Sequence, residues 1–154
     1  TTVLKNAFIG LLLLWQAIAV IAVFPSFLAY FNEIGGGAEN GYKYAVDSNL
    51  DWGQDLKRLA KWTDENKIQN IYVDYFGGAT PKYYLDGKFQ PWWGTRNQAD
   101  LKSGEYLAVS ATLLMGGQGR PAPGYTSPAG YYDWLKNYEP KEVIGHSIFV
   151  FQKP

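Results

Sequence analysis

The densest run of polar side chains in the chain is Asp47-Ser48-Asn49-Leu50-Asp51-Trp52-Gly53-Gln54-Asp55. Its candidate ligand-binding residues are Asp47, Ser48, Asn49, Asp51, Gln54 and Asp55. Asp51 and Asp55 are four apart, so on a helix both face one side. With Asp47 they could offer oxygen ligands to a hard cation such as Ca²⁺. A helix beginning here would also present unpaired N–H groups to an anion or a sugar. The plainer reading needs no ligand, because Asp and Asn cap helices and close turns by themselves. The chain contains no HExxH and no GxxxxGK[ST], so no motif calls for a metal or a cofactor.

Other residues with chemical potential are isolated. His146 is the only histidine, and it sits in an apolar stretch that reads as a strand, on the same side as Ile144 and Ile148. Ser48, Ser110 and Ser147 are the serines a triad would need beside it, yet no nucleophile-elbow pattern surrounds them. Gly116-Gly117-Gln118-Gly119 lacks both the phosphate-loop lysine and the dinucleotide spacing. No catalytic residue is assigned by these patterns. Trp92, Trp93, Tyr132 and Trp134 could stack against sugar rings, or could fill the core or a subunit interface.

The elements that must position these residues follow from periodicity. Residues 1–33 form an apolar anchor or filament-core segment. Ala7 to Phe24 reads AFIGLLLLWQAIAVIAVF, with Lys5 the only charge before Glu33. As a helix those residues span roughly 27 Å, close to the roughly 30 Å hydrocarbon core of a bilayer. Pro25 ends or kinks the helix. Lys5 on the short N-terminal side points to N-inside, with the rest of the chain outside. The glycine-rich stretch 34–41 is a joint.

Residues 42–154 read as one globular α/β domain. Tyr42–Val46 is expected as a strand, Asp51–Asn66 as a helix capped by Asn49 or Asp51, and Ile71–Phe76 as a strand parallel to the first. Tyr83–Arg96 reads as irregular, Tyr106–Leu114 as a strand, Met115–Tyr131 as a long loop, and Tyr131–Asn137 as a short helix. Val143–Gln152 reads as a final buried strand. The expected fold is therefore one long apolar helix followed by a small mixed or parallel sheet.

Composition narrows the function. The 154 residues carry 14 basic and 14 acidic side chains, so a nucleic-acid partner, which demands an excess of Lys and Arg, is not indicated. There is no cysteine, hence no disulfide and no thiolate metal site. A fully apolar helix needs a cover. Through residues 7–31 that cover is expected to be membrane lipid or further copies of the chain.

Residues 27–62, with Tyr30-Phe31-Asn32-Glu33 and the string from Asp47 to Leu56, resemble the carboxy-terminal part of membrane glycosyltransferases that use lipid-phosphate sugar donors. This is the protein mannosyltransferase-like family. Tyr75-Phe76-Gly77 and Ile144 to Phe149 resemble later segments of the same family. The resemblance implies a last transmembrane helix and a terminal soluble domain. It lacks the region that carries the family's catalytic acids. The expectation is a helix-anchored, extracytoplasmic, non-catalytic domain with a glycan or a glycosyltransferase as possible partner. The alternative is a structural subunit of an extracellular filament. The layout of apolar helix, Pro25 and globular head resembles type IV pilins, although Lys5 stands in the region where pilins carry an acid.

Overall fold

The computed structural model describes residues 2–120, 123–124, 126 and 128–154. An apolar helix, α1 (Thr2–Ala22), precedes a five-stranded mixed sheet flanked by three further helices. The strands are β1 (Ile71–Asp74), β2 (Phe89–Pro91), β3 (Tyr106–Ser110), β4 (Glu142–Ile144) and β5 (Ile148–Gln152). The helices of the sheet unit are α2 (Leu56–Glu65), α3 (Pro81–Leu85) and α4 (Ala111–Gln118). Sheet order is β2-β1-β3-β5-β4. The first three strands run parallel, and β5 and β4 close the sheet antiparallel.

The side-chain period of two in a strand sorts the core into two faces. Ile71, Val73, Ala108, Ile148 and Val150 point to one side, where Leu56 and Leu59 of α2 and Leu85 of α3 cover them. Leu107, Val109, Phe149 and Phe151 point to the other, against Ala111 and Leu114 of α4 together with Tyr132 and Leu135. Helices lie on both faces, so the central strands are apolar on both.

Several elements differ from the sequence expectation, each for a local reason. Tyr42–Val46 is no strand. Gly41–Lys43 forms a 3₁₀ turn, with Tyr44 and Ala45 N–H both donating to the Gly41 carbonyl, and Tyr42 packs edge-on against Phe149 at 4.8 Å. Packing of that ring outweighs the β preference of the residues. The parallel partners of β1 are therefore β2 and β3. The α2 helix starts only at Leu56, because Gly53 adopts φ +101° and turns the chain. Neither Asn49 nor Asp51 caps it.

The irregular aromatic stretch contains the end of α3 and all of β2, an edge strand that tolerates Pro91. Strand β3 stops at Ser110, and its expected tail forms α4, which takes up the first part of the expected 115–131 loop. Pro121, Ala122, Tyr125 and Ser127 of that loop, and Thr1 of the anchor segment, lie outside the described residues. The expected final strand is a hairpin. Gly145 and His146 take φ +59° and +69°, and Ser147 N–H donates to the Ile144 carbonyl at 3.1 Å. Two left-handed residues match the twist of a tight hairpin.

The α1 helix stands apart from this core. Among its residues only Ala19 is buried. The truncation Leu107→Ala should cost about 3 kcal/mol by opening a cavity between the sheet and α4. Leu13→Ala, at a residue 67 % exposed, should cost under about 0.5 kcal/mol. Denaturant unfolding of the full chain in detergent, followed by tryptophan fluorescence, measures both.

Candidate functional site

The Asp47–Asp55 segment lies beside the carboxyl ends of the parallel strands β1 and β3, where open α/β sheets place ligand sites. It is a self-bonded loop. Ser48 N–H donates to Asp47 Oδ1 at 2.7 Å, and Asp47 N–H donates to Thr112 Oγ1 at 2.8 Å. Trp52 Nε1–H donates to the Ser48 carbonyl at 2.8 Å, and its backbone N–H donates to Gln54 Oε1 at 2.8 Å. The indole is thus held in one orientation while 65 % of the residue is exposed.

Beneath this loop lie two buried carboxylates with different surroundings. Asp55 is fully buried and well satisfied. Ser147 Oγ donates to Oδ2 at 2.7 Å, Arg58 Nη1 donates to Oδ1 at 2.8 Å, and Gln54 Nε2 donates to Oδ2 at 3.3 Å. Burial pushes its pKa up, with Ser147, Arg58 and His146 opposing. Gly145 is required beneath it, because a Cβ there would collide with the Asp55 carboxylate. Asp51 is 1 % exposed and less well satisfied. Its Oδ1 accepts from Gly53 N–H at 2.8 Å, its Oδ2 has no geometrically good hydrogen-bond partner among the described residues, and the nearby Ser110 hydroxyl helps to hold its pKa down. Burial pushes the Asp51 carboxyl up to about 6, with the Gly53 bond opposing and the Asp55 charge adding.

Asp51 borders a cleft of about 370 Å³ between Asp47–Trp52 and Tyr75–Gly78. The Tyr75 hydroxyl is also buried without a partner, and burial together with Asp51 and Asp55 raises its pKa. It occupies the space a Cβ on Gly53 would need, which explains the left-handed glycine there. Of the sequence candidates, the structure brings Asp47, Ser48 and Asp51 to this cleft. Asp55 lies behind it, Gln54 borders a separate groove with Lys57 and Arg58, and Asn49 bonds back to the Val46 carbonyl at 3.4 Å. Asp51 precedes α2, so the two carboxylates meet through the turn at Gly53 and not through helical spacing. Among the described residues no three acidic, His or Cys side chains converge on a metal position.

Sequence reasoning missed Trp52 and Tyr75. Trp52 has helical spacing to Leu56, yet it precedes the helix and faces solvent. Tyr75 follows β1, and that position at a strand's carboxyl end was the available signal.

The other candidates are placed differently from the expectation. His146 sits in the β4–β5 turn, half-buried, beside Ala19 and Val23 at the end of α1. Ser147 Oγ is committed to Asp55, and Ser110 Oγ accepts from Phe76 N–H at 2.9 Å. The four-residue stacking platform does not form. Trp92 and Tyr132 are 4 % and 0 % exposed and fill the core. Tyr132 Oη donates to Asp74 Oδ2 at 2.5 Å. Trp134 packs edge-on against Tyr138 at 5.7 Å. Trp93 is exposed, but the Arg96 guanidinium lies 5.4 Å from its ring centroid, as it lies 4.8 Å from that of Trp92. Large rings are the cheapest way to fill a small core.

The chain matches no family model, no curated protein and no solved structure.

The buried carboxylates set a pH dependence. Folding raises the pKa of Asp51 from 3.8 to about 6, and those of Asp55 and Asp74 also rise. The folded state then binds more protons than the unfolded state between those values, so stability falls as pH rises through that window. The melting temperature should be higher at pH 5 than at pH 7, and Asp51→Asn should reduce the difference. A lower melting temperature at pH 5 would contradict this assignment.

Proposed function

We propose that this chain is a membrane-anchored, extracytoplasmic, non-catalytic module, with α1 in the bilayer and the sheet unit standing in water as the terminal domain of a glycosyltransferase system. The observation that carries the reading is the exposure of α1 on every side. Its 21 residues measure about 31 Å at 1.5 Å per residue, and by length and composition they are enough to cross a membrane. Water cannot accommodate such a surface, because burying it releases roughly 25 cal/mol per Å². Burial begins at the last turn of the helix and the residues after it, at Ala19, Val23 and Ala29, and Arg58 of α2 donates to Ser26 Oγ there.

Lys5 on the amino-terminal flank of α1, with acidic Glu33 the first charge on the other flank, supports an N-inside orientation. The resemblance of the 27–62 segment to lipid-phosphate-sugar glycosyltransferases supports the glycosyltransferase setting.

Carbonate extraction of cells expressing the full chain tests the anchor. The wild type should stay with the membranes, and Leu13→Lys, which places a charge at the bilayer centre at a cost of about 3 kcal/mol, should shift a large share to the soluble or aggregated fraction. Detergent-free wild type that assembles into regular filaments would replace the bilayer reading with the structural-subunit one.

A further inference from the structure

The cleft beside Trp52 has a chemistry that the anchor reading does not use. Two of its walls are acidic, Asp47 and Asp51, and among the described residues none that lines it is basic. An anionic ligand would therefore be repelled. Asp51 and Tyr75 line it, and among the described residues Asp51 Oδ2 and Tyr75 Oη are buried without a good hydrogen-bond partner, although the Ser110 hydroxyl lies close to the Asp51 carboxylate. Both can accept hydrogen bonds, and a buried acceptor left alone costs free energy. Trp52 and Phe76 add aromatic surface at the same opening, and the Trp52 ring is fixed by its bond to the Ser48 carbonyl. Aromatic faces beside carboxylates attract organic cations.

We propose that this cleft binds a primary ammonium group, with Asp51 Oδ2 and Tyr75 Oη accepting its N–H donors and the Trp52 ring covering its alkyl stem. A primary ammonium carries three donors and no acceptor, which suits two unpartnered acceptors and an acidic wall. A quaternary ammonium offers no N–H and leaves Asp51 Oδ2 unsatisfied. A protein-built Ca²⁺ site gathers several oxygen ligands, and among the described residues no three acidic, His or Cys side chains converge here. The cleft's volume lies at the small end of ligand pockets, in keeping with a short-stemmed amine. The amine source is either a free small amine or an aminoalkyl lipid headgroup, and the test separates the two. Binding here is independent of whether α1 lies in a bilayer, so either reading can fail without the other.

The test is a titration of the full chain in neutral detergent, read on the Trp52 indole N–H resonance, which is assigned by its loss in Trp52→Ala. Ethanolamine should give a saturable shift with a dissociation constant on the order of millimolar, beyond a sodium chloride control of equal ionic strength. Asp51→Asn should weaken it about tenfold, the worth of one charge-assisted bond. Should that variant fail to fold, Asp47→Asn, at an exposed side chain, should still weaken binding by a few-fold. Tetramethylammonium, calcium chloride, methyl glucoside and inorganic phosphate should each leave the resonance in place. Nanodiscs containing phosphatidylethanolamine should reproduce the shift if the amine comes from lipid. Phosphatidylcholine nanodiscs, in which only added ethanolamine shifts the resonance, would assign a free amine. No saturable response to ethanolamine, an equal response in Asp51→Asn, or a larger response to calcium or methyl glucoside would overturn the proposal.

Discussion

The structure turns on one fully buried charge. Asp55 sits at the start of α2 with no access to water, and such a group is tolerated only when paired and hydrogen-bonded. Each partner comes from a different place. Arg58 belongs to the next turn of α2, and Ser147 belongs to the β4–β5 hairpin. The same Arg58 Nη1 also reaches Ser26 Oγ at 2.7 Å, in the segment that leaves α1. One carboxylate, with its partner Arg58, thus ties the start of α2, the hairpin turn and the segment that leaves α1 together. Its demands extend to the backbone, because the hairpin can lie over it only with glycine at position 145.

That tie explains why the polar loop is where it is. With Asp55 fixed against Ser147, the chain before it must turn back over the ends of β1 and β3, and Gly53 supplies the turn. Asp51 is carried inward by this turn and held by one backbone bond, while Trp52 is carried outward. The ring lies at the mouth of the cleft and the acid forms part of its wall. The Asp55 charge adds to the rise of the Asp51 pKa, and at Asp55 itself the Arg58 charge opposes the rise. Among the described residues Asp51 has no such counter-charge. The asymmetry makes Asp55 a fastening and leaves Asp51 with an open valence.

The parts of this arrangement that were legible in the sequence are those set by long patterns. The apolar run to Phe24 contains no polar stripe and forms a helix exposed all round. Leu56, Leu59 and Trp62 have helical spacing and do share a buried or half-buried face. The β-prone runs at Ile71–Asp74 and Tyr106–Ser110 mark two central strands. Contacts between distant segments were not legible. Nothing local marks Ser147 as a partner of Asp55, 92 positions earlier. Gly145-His146 has the turn chemistry of a hairpin, but the apolar residues around it give a continuous strand signal. The Asp51–Asp55 interval has helical spacing, and only the left-handed Gly53 reveals that the two acids meet through a turn. Trp92 and Tyr132 have the composition of a stacking platform, and their burial follows from the packing of the sheet against α4, which no spacing encodes.

The central claim is that α1 faces apolar surroundings on every side and is fastened to the sheet unit only at its last turn. Spin labels placed one at a time from Phe8 to Val20 in the full chain, reconstituted in nanodiscs, measure this directly through collisions with oxygen and with a water-soluble nickel reagent. The account predicts high oxygen and low nickel accessibility at all these positions, greatest at the middle of the helix and without a period of 3.6 residues. Labels that alternate between protected and water-exposed faces with the helical period would contradict it, and would place α1 along a protein surface and not within the bilayer.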